Sequence, residues 1–385
     1  MTFATSPEQG LITYETCITD TSSGPLSEKT VYSVGKVYAR SGAAHPMSVR
    51  RVKLVVAAQV SGTYSVQTGN GGLALSNSAT IANGNVYVNG GLTMTNTSQI
   101  GTSASPATVN AANYLCPKTA PYTGYPMLCA SGQPISVANT AHIYADVHAN
   151  GQTDGSGMTN TGLVQTAGVP TLPMPTYDRT AHKAAVTTII NGTQTCGGTD
   201  VVTLEANTRI NGSLTGGNNC QIIIKGNVWV TGNVSLTQKA IIKTDPAVTS
   251  MPTMMIDGSA GLSFNQQSGA AANAGGIGTQ FVTFYSTAPC APDCADVTDA
   301  DLYTSTPIVT INLGNQSLSA GSRFYARWTA LTVSQGGAIG SVVAQQLNLA
   351  NSGTISFTTA QGTSTYVWVA RYYETLPVPD SRSTN

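Results

Sequence analysis

The chain has 385 residues, of which 40 are glycine, and its 17 basic and 17 acidic residues give a formal net charge of zero. Charged residues make up only 9% of the sequence, against roughly 25% in an ordinary soluble domain. A polar surface built mostly from Ser, Thr, Asn, Gln and Gly is typical of β-rich proteins with many tight turns and argues against a helix-rich one. The zero net charge also argues against a general phosphate-binding surface, but it leaves a local basic patch open.

No run of about 18 apolar residues occurs, and residues 1–6 lack the basic and apolar regions of a signal peptide. We therefore expect either a cytosolic chain or one whose export signal or anchor has been removed. The seven cysteines lack the spacing of a zinc site, and low charge together with cysteine use favours an oxidising compartment. The simplest interpretation is three disulfides and one leftover thiol, although several connectivities are open; the neighbouring candidates are Cys116 with Cys129, Cys196 with Cys220, and Cys290 with Cys294.

Strand-like segments occur near both ends of the chain. Segments 31–40 and 48–60 flank a turn at Gly42 to Pro46 and predict an antiparallel hairpin that carries a large share of the basic residues. Segment 364–373 predicts another strand.

The middle of the chain is self-similar. Residues 84–100 align without gaps to residues 226–242, with seven identities in seventeen positions. Apolar residues fall mainly on even positions from 202 to 242 and on odd positions from 331 to 357, which is the period of strands with one buried face. Short strands separated by Gly/Asn corners predict a β-solenoid, in which stacked rungs bury a continuous narrow core and the corner residues tolerate left-handed backbone.

The repeat pattern breaks in two stretches, about 101–188 and 262–307, which we expect to be irregular loops. The first contains a proline cluster that cannot occupy an inner strand, followed by a candidate short helix over Asp178 to Ala185. The resulting division assigns residues 1–63 and 361–385 to a β-sheet domain, and residues 64–360 to a β-solenoid domain that includes both loops.

Basic residues cluster in two places. On the strand that begins near residue 48, Arg51 and Lys53 share one face, and in the segment RFYARW two arginines alternate with Tyr325. An arginine beside an aromatic ring on one strand face can hold a phosphate and stack a base or sugar, whereas the alternative is an ordinary solvated strand face. The candidate DNA- or anion-binding residues are Arg50, Arg51, Lys53, Arg323 and Arg327.

Two aromatic residues and one acidic cluster are further candidates. Tyr87 and Trp229 hold equivalent places in the two aligned segments and should point outward, either to cover a neighbouring loop or to stack a ligand. The acidic residues Asp293, Asp296, Asp299 and Asp301 offer a Ca²⁺ site, with a solvated acidic loop as the alternative, and we expect no other cofactor. No carboxylate pair stands out as acid and base, and the four histidines are scattered.

The order of these elements resembles a known family. A strand pair ending in V-R-R-V-K-L-V-V (Val49 to Val56), G-N-V-Y-V-N-G rungs, a P-M-P-T-Y-D segment (Pro173 to Asp178) and further G-N-V-W-V-T-G rungs are similar to the ectodomains of large type IV pilus minor pilins. The PilX-like pilus-assembly proteins and the competence-associated minor pilins are of this kind. Their layout is a β-solenoid inserted into the antiparallel sheet of a pilin fold.

The resemblance implies an extracellular location on a pilus, at its tip, and no enzymatic activity. It implies other pilins as partners, and double-stranded DNA or a surface as the ligand. Pilins begin with a long hydrophobic helix that this chain lacks, which would fit its removal to obtain soluble protein, and we expect contact with a membrane only through that missing helix. Two alternatives remain open: a β-helix protein that binds or degrades polysaccharide, and a structural protein whose solenoids stack end to end.

Overall fold

A computed structural model describes residues 2–4, 11–20, 29–39, 45–61, 64–112, 134–149, 153–154, 164–165, 169, 172, 174–175, 177, 179–258, 261–283, 310–313, 318–357 and 365–376. These residues fall into two compact units, one built from residues 2–61 and 365–376 and the other from residues 64–357. The description below takes each unit by itself.

The first unit is a five-stranded antiparallel sheet in the order β1-β2-β3-β4-β33. Its strands are β1 (Thr2–Ala4), β2 (Leu11–Asp20), β3 (Lys29–Tyr38), β4 (Ser48–Ser61) and β33 (Thr365–Leu376). The predicted hairpin is confirmed by the pairing of β3 with β4, and the predicted C-terminal strand pairs with β4 on its other edge. Two neighbouring strands of the sheet are therefore separated in the chain by the whole second unit.

The second unit is a parallel β-solenoid with one short helix, α1 (Arg179–Ala184). Before the helix its strands are β5 (Tyr64–Leu75), β6 (Thr80–Ile81), β7 (Asn85–Val88), β8 (Leu92–Met94), β9 (Gln99–Ile100), β10 (Ala107–Ala111), β11 (Ile135–Val137), β12 (His142–Ile143), β13 (Ala145–Ala149), β14 (Thr153–Asp154) and β15 (Val164–Gln165).

After the helix the strands are β16 (Thr188–Asn191), β17 (Gln194–Cys196), β18 (Val201–Leu204), β19 (Thr208–Asn211), β20 (Leu214–Gly216), β21 (Gln221–Ile224), β22 (Val228–Val230), β23 (Val234–Leu236), β24 (Ile241–Thr244), β25 (Thr253–Ile256), β26 (Leu262–Phe264), β27 (Gly269–Ala271), β28 (Gln280–Thr283), β29 (Thr310–Leu313), β30 (Leu318–Val333), β31 (Ala338–Leu349) and β32 (Thr354–Ile355).

Each turn of the solenoid contributes three strands, because β16 pairs with β19, β17 with β20, and β18 with β21. The long strands β5, β30 and β31 pass round corners and contribute to more than one face. We call the three stacks the first row (which starts at β16), the second row (β17) and the third row (β18). The mainly β fold with a stacked solenoid is thus the one that the sequence predicts.

The solenoid strands before α1 and those after α1 form one continuous stack. Strand β5 pairs with β31 on one side and with β7 on the other, so the last rungs of the chain lie against its first rungs. In the first row this places β16 at one end of the described stack and β15 at the other. At about 4.8 Å per rung the ends are roughly 50 Å apart, and the chain between Gln165 and Thr188 must run back along this distance.

The core follows the predicted alternation with one correction. The even-numbered positions are buried from Leu204 onward: Leu204, Ile210, Leu214, Ile222, Ile224, Val228, Val230, Val234, Leu236 and Ile242. In the odd-numbered series Val343 faces away from the core, and Val342 is buried in it instead. Ile339 and Val342 are both buried although they are three positions apart, so the inward side of β31 changes from odd to even positions at the corner between them, where its register against β30 also shifts.

The prediction of irregular loops is wrong for parts of both stretches. Strands β10 to β15 continue the stack after residue 101, and β26, β27 and β28 continue it from Leu262 to Thr283. Many inward positions there are alanine or glycine, such as Ala107, Ala145 and Ala270, so the apolar alternation is weak although these positions are buried. The candidate helix near residue 180 is confirmed as α1.

The corner between the first and second rows needs glycine. A Cβ on Gly232 would lie 2.7 Å from the backbone of Gly212 on the neighbouring rung, and one on Gly212 would lie 2.6 Å from the Gly192 carbonyl carbon. The Gly232 N–H also donates to the Gly212 carbonyl at 2.8 Å. A side chain at this corner would therefore push neighbouring rungs apart.

One predicted disulfide lies within the described residues. Cys196 and Cys220 are bonded, with Cα atoms 5.8 Å apart, and they join a second-row strand to the corner of the next rung. The other two candidate pairs, Cys116 with Cys129 and Cys290 with Cys294, lie outside the described residues. Cys17 is exposed and carries a free thiol.

We predict that Gly232→Ala lowers the free energy of unfolding by about 1–3 kcal/mol, because it overpacks backbone against backbone. The matched control is Gly197→Ala, where an added Cβ meets no atom within 4 Å. The control should change stability by no more than about 0.5 kcal/mol. Urea titrations followed by circular dichroism compare the two, and equal losses would contradict the rung-contact explanation.

Candidate functional site

The predicted basic residues of the hairpin lie on both faces of the antiparallel sheet. Arg50 is exposed, whereas Arg51 and Lys53 are half-buried on the opposite face. The Lys53 Nζ lies 3.9 Å from the Glu374 carboxylate on β33, and a second ion pair joins Lys36 to Glu15 at 3.7 Å. Two of the basic residues here, Lys36 and Lys53, therefore have acidic partners on neighbouring strands.

The second basic group, Arg323 and Arg327, belongs to the other unit. Both arginines lie on β30, on either side of Tyr325. Burial lowers the pKa of the Arg323 guanidinium from its usual value. Tyr325 is only 3% exposed and donates its hydroxyl hydrogen to the Pro175 carbonyl at 2.5 Å, so its ring is not the open stacking platform that the sequence suggests.

The side chains that point outward from the first row form a continuous ladder. We call the ladder residues Arg209, Trp229, Met255, Val282, Tyr325, Val343, Gln67 and Tyr87, in their order along the stack, the outer ladder. Its middle is apolar, and Met255 and Val282 are fully buried outside the main core. Apolar side chains on the outside of a solenoid need a cover.

The cover is the chain that connects the two ends of the stack. We call its described residues the return segment: Val169, Leu172, Met174, Pro175, Tyr177 and α1. The Asn89 side chain exchanges two hydrogen bonds of 2.7 Å with the Leu172 backbone, and the Tyr177 ring lies 6.3 Å from the Tyr325 ring. These contacts follow the first row from the rung of β7 toward the rung of β22.

The two predicted outward aromatics are covered by different parts of the chain, Tyr87 beside Tyr64 of β5 and Trp229 beside α1. Tyr87 points away from the core but is only 2% exposed, and its ring packs edge-on against Tyr64 with centroids 5.3 Å apart. At this exposure the Tyr87 ring is not open to stack a ligand, and the neighbour that encloses it here is a strand residue rather than a loop. Trp229 is half-buried, with Lys183 of α1 at 5.0 Å and Arg209 at 4.2 Å from its ring centroid.

A charged network surrounds Trp229. The Trp229 Nε1–H donates to the Asp257 carboxylate at 2.9 Å, and the Arg179 guanidinium pairs with the same oxygen at 2.7 Å. The Arg179 and Asp257 side chains are only 14% and 13% exposed, so this ion pair is largely shielded from water. Such a pair is costly to break, because removing one partner leaves a buried charge uncompensated.

His182 fixes α1 to the solenoid. Its Nε2 lies 3.2 Å from the Val228 carbonyl, and its Nδ1 lies 2.5 Å from the Tyr177 hydroxyl. A neutral ring that donates from Nε2 and accepts at Nδ1 satisfies both contacts. Burial lowers the pKa of His182, and it outweighs the opposing effects of the Val228 carbonyl and the Asp257 charge.

The second-to-third-row corner is a separate, polar feature. Its two-residue turns adopt left-handed backbone, as the sequence predicts for Asn, but Gln and Lys take these positions too. Along part of this corner the side chains line a shallow groove that is largely open to solvent. We call the lining residues the amide corner: Asn218, Asn219, Gln238, Lys239, Gln266, Gln267 and Gln335.

The predicted Ca²⁺ ligands Asp293, Asp296, Asp299 and Asp301 lie outside the described residues. Within the described residues, no group of three or more His, Cys, Asp or Glu side chains is placed to hold a metal ion. In the same part of the chain no helix is both long and apolar enough to cross a membrane.

Sequence reasoning missed the Trp229 network and the amide corner. The network joins residues of three separate segments, and no local pattern links them. The amide corner has a local signal in the recurring tetrapeptides Gly217 to Cys220, Thr237 to Ala240 and Asn265 to Ser268, each with an N-N, Q-K or Q-Q centre. Aligning these rungs would have found it.

Comparison with known proteins adds no family to these observations. No family model, no curated protein and no solved structure matches the chain.

We predict that acid weakens the attachment of the return segment. Because the native pKa of His182 lies below the unfolded value of about 6.5, the unfolded chain takes up the proton first as the pH falls. Stability should therefore decrease from about pH 6.5 down to the lowered native pKa and then level off. Thermal unfolding of wild type and His182→Gln across this range tests it, and an identical pH dependence of Tm in both would contradict the assignment.

We predict that Asp257→Asn costs about 3 kcal/mol of stability, because it leaves the Arg179 guanidinium buried without its carboxylate. The matched control is Glu205→Gln, which removes the carboxylate of the exposed Lys225–Glu205 pair at 2.7 Å. Exposed pairs contribute little, so the control should unfold as wild type does. Chemical denaturation measures both, and a wild-type midpoint for Asp257→Asn would contradict the structural role of the network.

Proposed function

We propose that this chain is the non-enzymatic, extracellular ectodomain of a type IV pilus minor pilin, and that it recognises DNA for uptake or a surface for adhesion. The observation that carries the proposal is the insertion of the whole solenoid between two paired strands, β4 and β33, of an antiparallel sheet. In such a protein the sheet would serve assembly of the filament and the solenoid would serve recognition. The proposed partners are other pilins, with this subunit at the tip.

Three carboxylates of the described solenoid are held in structural contacts, which favours a role without catalysis at these positions. Glycoside hydrolysis needs two carboxyl groups across a substrate groove. In the described solenoid, Asp257 is held by Arg179 and Trp229, Glu205 is paired with Lys225, and Asp245 accepts a hydrogen bond from the Ala247 N–H at its own turn. These three carboxylates have structural partners, whereas Asp146 and Asp200 of the same unit are exposed.

The DNA branch of the proposal depends on the basic residues of the sheet. We predict that double-stranded DNA binds with an affinity that falls as salt rises. Arg50→Ala/Arg51→Ala/Lys53→Ala should lower the slope of log K against log salt by about one for each phosphate that the wild-type side chains neutralise. Fluorescence anisotropy at several salt concentrations measures this. The matched control is Arg323→Ala/Arg327→Ala, which removes basic residues of the solenoid.

Each outcome of this comparison either locates the DNA-binding site or excludes DNA binding. Loss of binding in the triple variant with retention in the control supports recognition through the sheet. The reverse result moves the site to the solenoid. If the wild-type chain fails to bind DNA even at low salt, DNA uptake is excluded and adhesion remains.

The filament branch needs a separate measurement. Antibodies raised against the protein should label the ends of surface filaments on source cells in electron micrographs. Label confined to the cell interior, or absent from filaments, would refute membership of a pilus.

A further inference from the structure

The second-to-third-row corner has two parts that differ in how their amide side chains are used. In one part, asparagines of successive rungs bond to each other: Asn77 donates to Asn351 at 3.1 Å, Asn96 donates to Asn77, and Asn139 donates to Asn96 at 3.0 Å. Such a ladder uses the hydrogen-bonding groups of these side chains within the protein.

The other part is the amide corner, where four of the amide side chains are left open. Asn218, Gln238, Gln266 and Gln335 are exposed, and their amides make no side-chain hydrogen bond within the described part of the chain. Each terminal amide supplies two N–H donors and a carbonyl acceptor. These four side chains therefore present a dense array of hydrogen-bonding groups to the groove.

The backbone holds this array in a fixed arrangement. The Asn219 N–H donates to the Gln238 carbonyl at 2.8 Å, and the Lys239 N–H donates to the Gln266 carbonyl at 2.9 Å. The corner residues share the left-handed conformation, with φ of 52° at Asn218, 51° at Gln238 and 52° at Gln266. The amide side chains of Asn218, Gln238 and Gln266 are thus repeated at the rung spacing of about 4.8 Å along the solenoid axis, and Gln335 lies two rungs beyond Gln266.

The chemistry of the groove selects the class of ligand. Lys239 is the only charged residue among its lining side chains in the described structure, and no carboxylate or aromatic ring lines it. Nucleic acid needs several cations, and an apolar peptide needs an apolar surface. On the adjoining second row, the outward side chains Thr215, Ser235 and Ser263 add hydroxyl groups in register with the same rungs.

We infer that the amide corner binds an uncharged polysaccharide whose chain lies along the solenoid axis. Amide donors and acceptors match the hydroxyl pairs of sugars, and the regular repeat lets successive sugars meet equivalent rungs. A chain that contacts several rungs at once gains affinity by multivalency, so long glycans should bind where short ones do not. This inference goes beyond the proposed function, because the site would bind polysaccharide whether or not the chain is part of a pilus.

The test is affinity electrophoresis of the whole chain in alkaline native gels cast with dextran, a soluble β-glucan or a galactomannan. We expect at least one of these neutral polymers to retard the protein, and Gln238→Ala/Gln266→Ala to weaken binding about tenfold, because each amide contact is worth roughly threefold to fivefold. The matched control is Asn96→Ala/Asn139→Ala, which removes two amides from the bonded part of the same corner. The control should be retarded as wild type is, and circular dichroism confirms that both variants fold.

Several results would overturn the inference. These are no retardation by any neutral polymer, retardation that the Gln238→Ala/Gln266→Ala variant retains, or equal loss in both variants. Retardation only by alginate or heparin would replace the neutral ligand with an anionic one. Binding of a disaccharide as tightly as its polymer would refute the extended arrangement along the rungs. None of these results depends on whether the chain binds DNA or enters a pilus.

Discussion

Parallel pairing between successive rungs is the constraint on which the rest of the second unit depends. It fixes a repeat of about 4.8 Å, and every corner must fit that repeat without pushing the rungs apart. At one corner the fit requires glycine, since backbone meets backbone at Gly212 and Gly232. At another it requires a two-residue left-handed turn, which Asn and Gln adopt here at Asn218 and Gln238. The low charge of the chain follows, because like charges stacked at this spacing would repel one another.

The order of the rungs has a further consequence. Because the last rungs stack on the first, the chain must return along the whole solenoid between β15 and β16. That path lies over the outer ladder, whose apolar residues Met255 and Val282 are buried there. The return segment is held by a shielded ion pair at Asp257 and by a neutral histidine at His182. One face of the solenoid is thus used for internal packing and is unavailable for recognition.

The two surfaces considered for recognition differ in charge. On the antiparallel sheet, acidic residues such as Glu374 lie beside the basic ones, so any DNA contact there must compete with ion pairs already formed. On the solenoid, the amide corner offers many hydrogen-bonding groups and one lysine. Surfaces of this kind favour hydroxyl-rich ligands over phosphate, because hydrogen bonds rather than counterion release supply the affinity. We therefore expect each rung of the amide corner to contribute little to the binding affinity, and the contributions of successive rungs to add.

The sequence by itself determined the strands, their inward faces and the left-handed corners, because these depend on a local period of two and on residues that tolerate positive φ. It also predicted the hairpin, the C-terminal strand and α1. Only the tertiary structure decided the order of the rungs, which of Val342 and Val343 faces the core, and how far the side chains of Tyr87 and Trp229 are buried. Burial of an outward side chain depends on which distant segment packs beside it, and nothing near Trp229 in the sequence indicates that α1 lies there. The rungs whose inward positions are alanine or glycine were not predicted, because such small residues do not produce a recognisable alternation of apolar and polar positions.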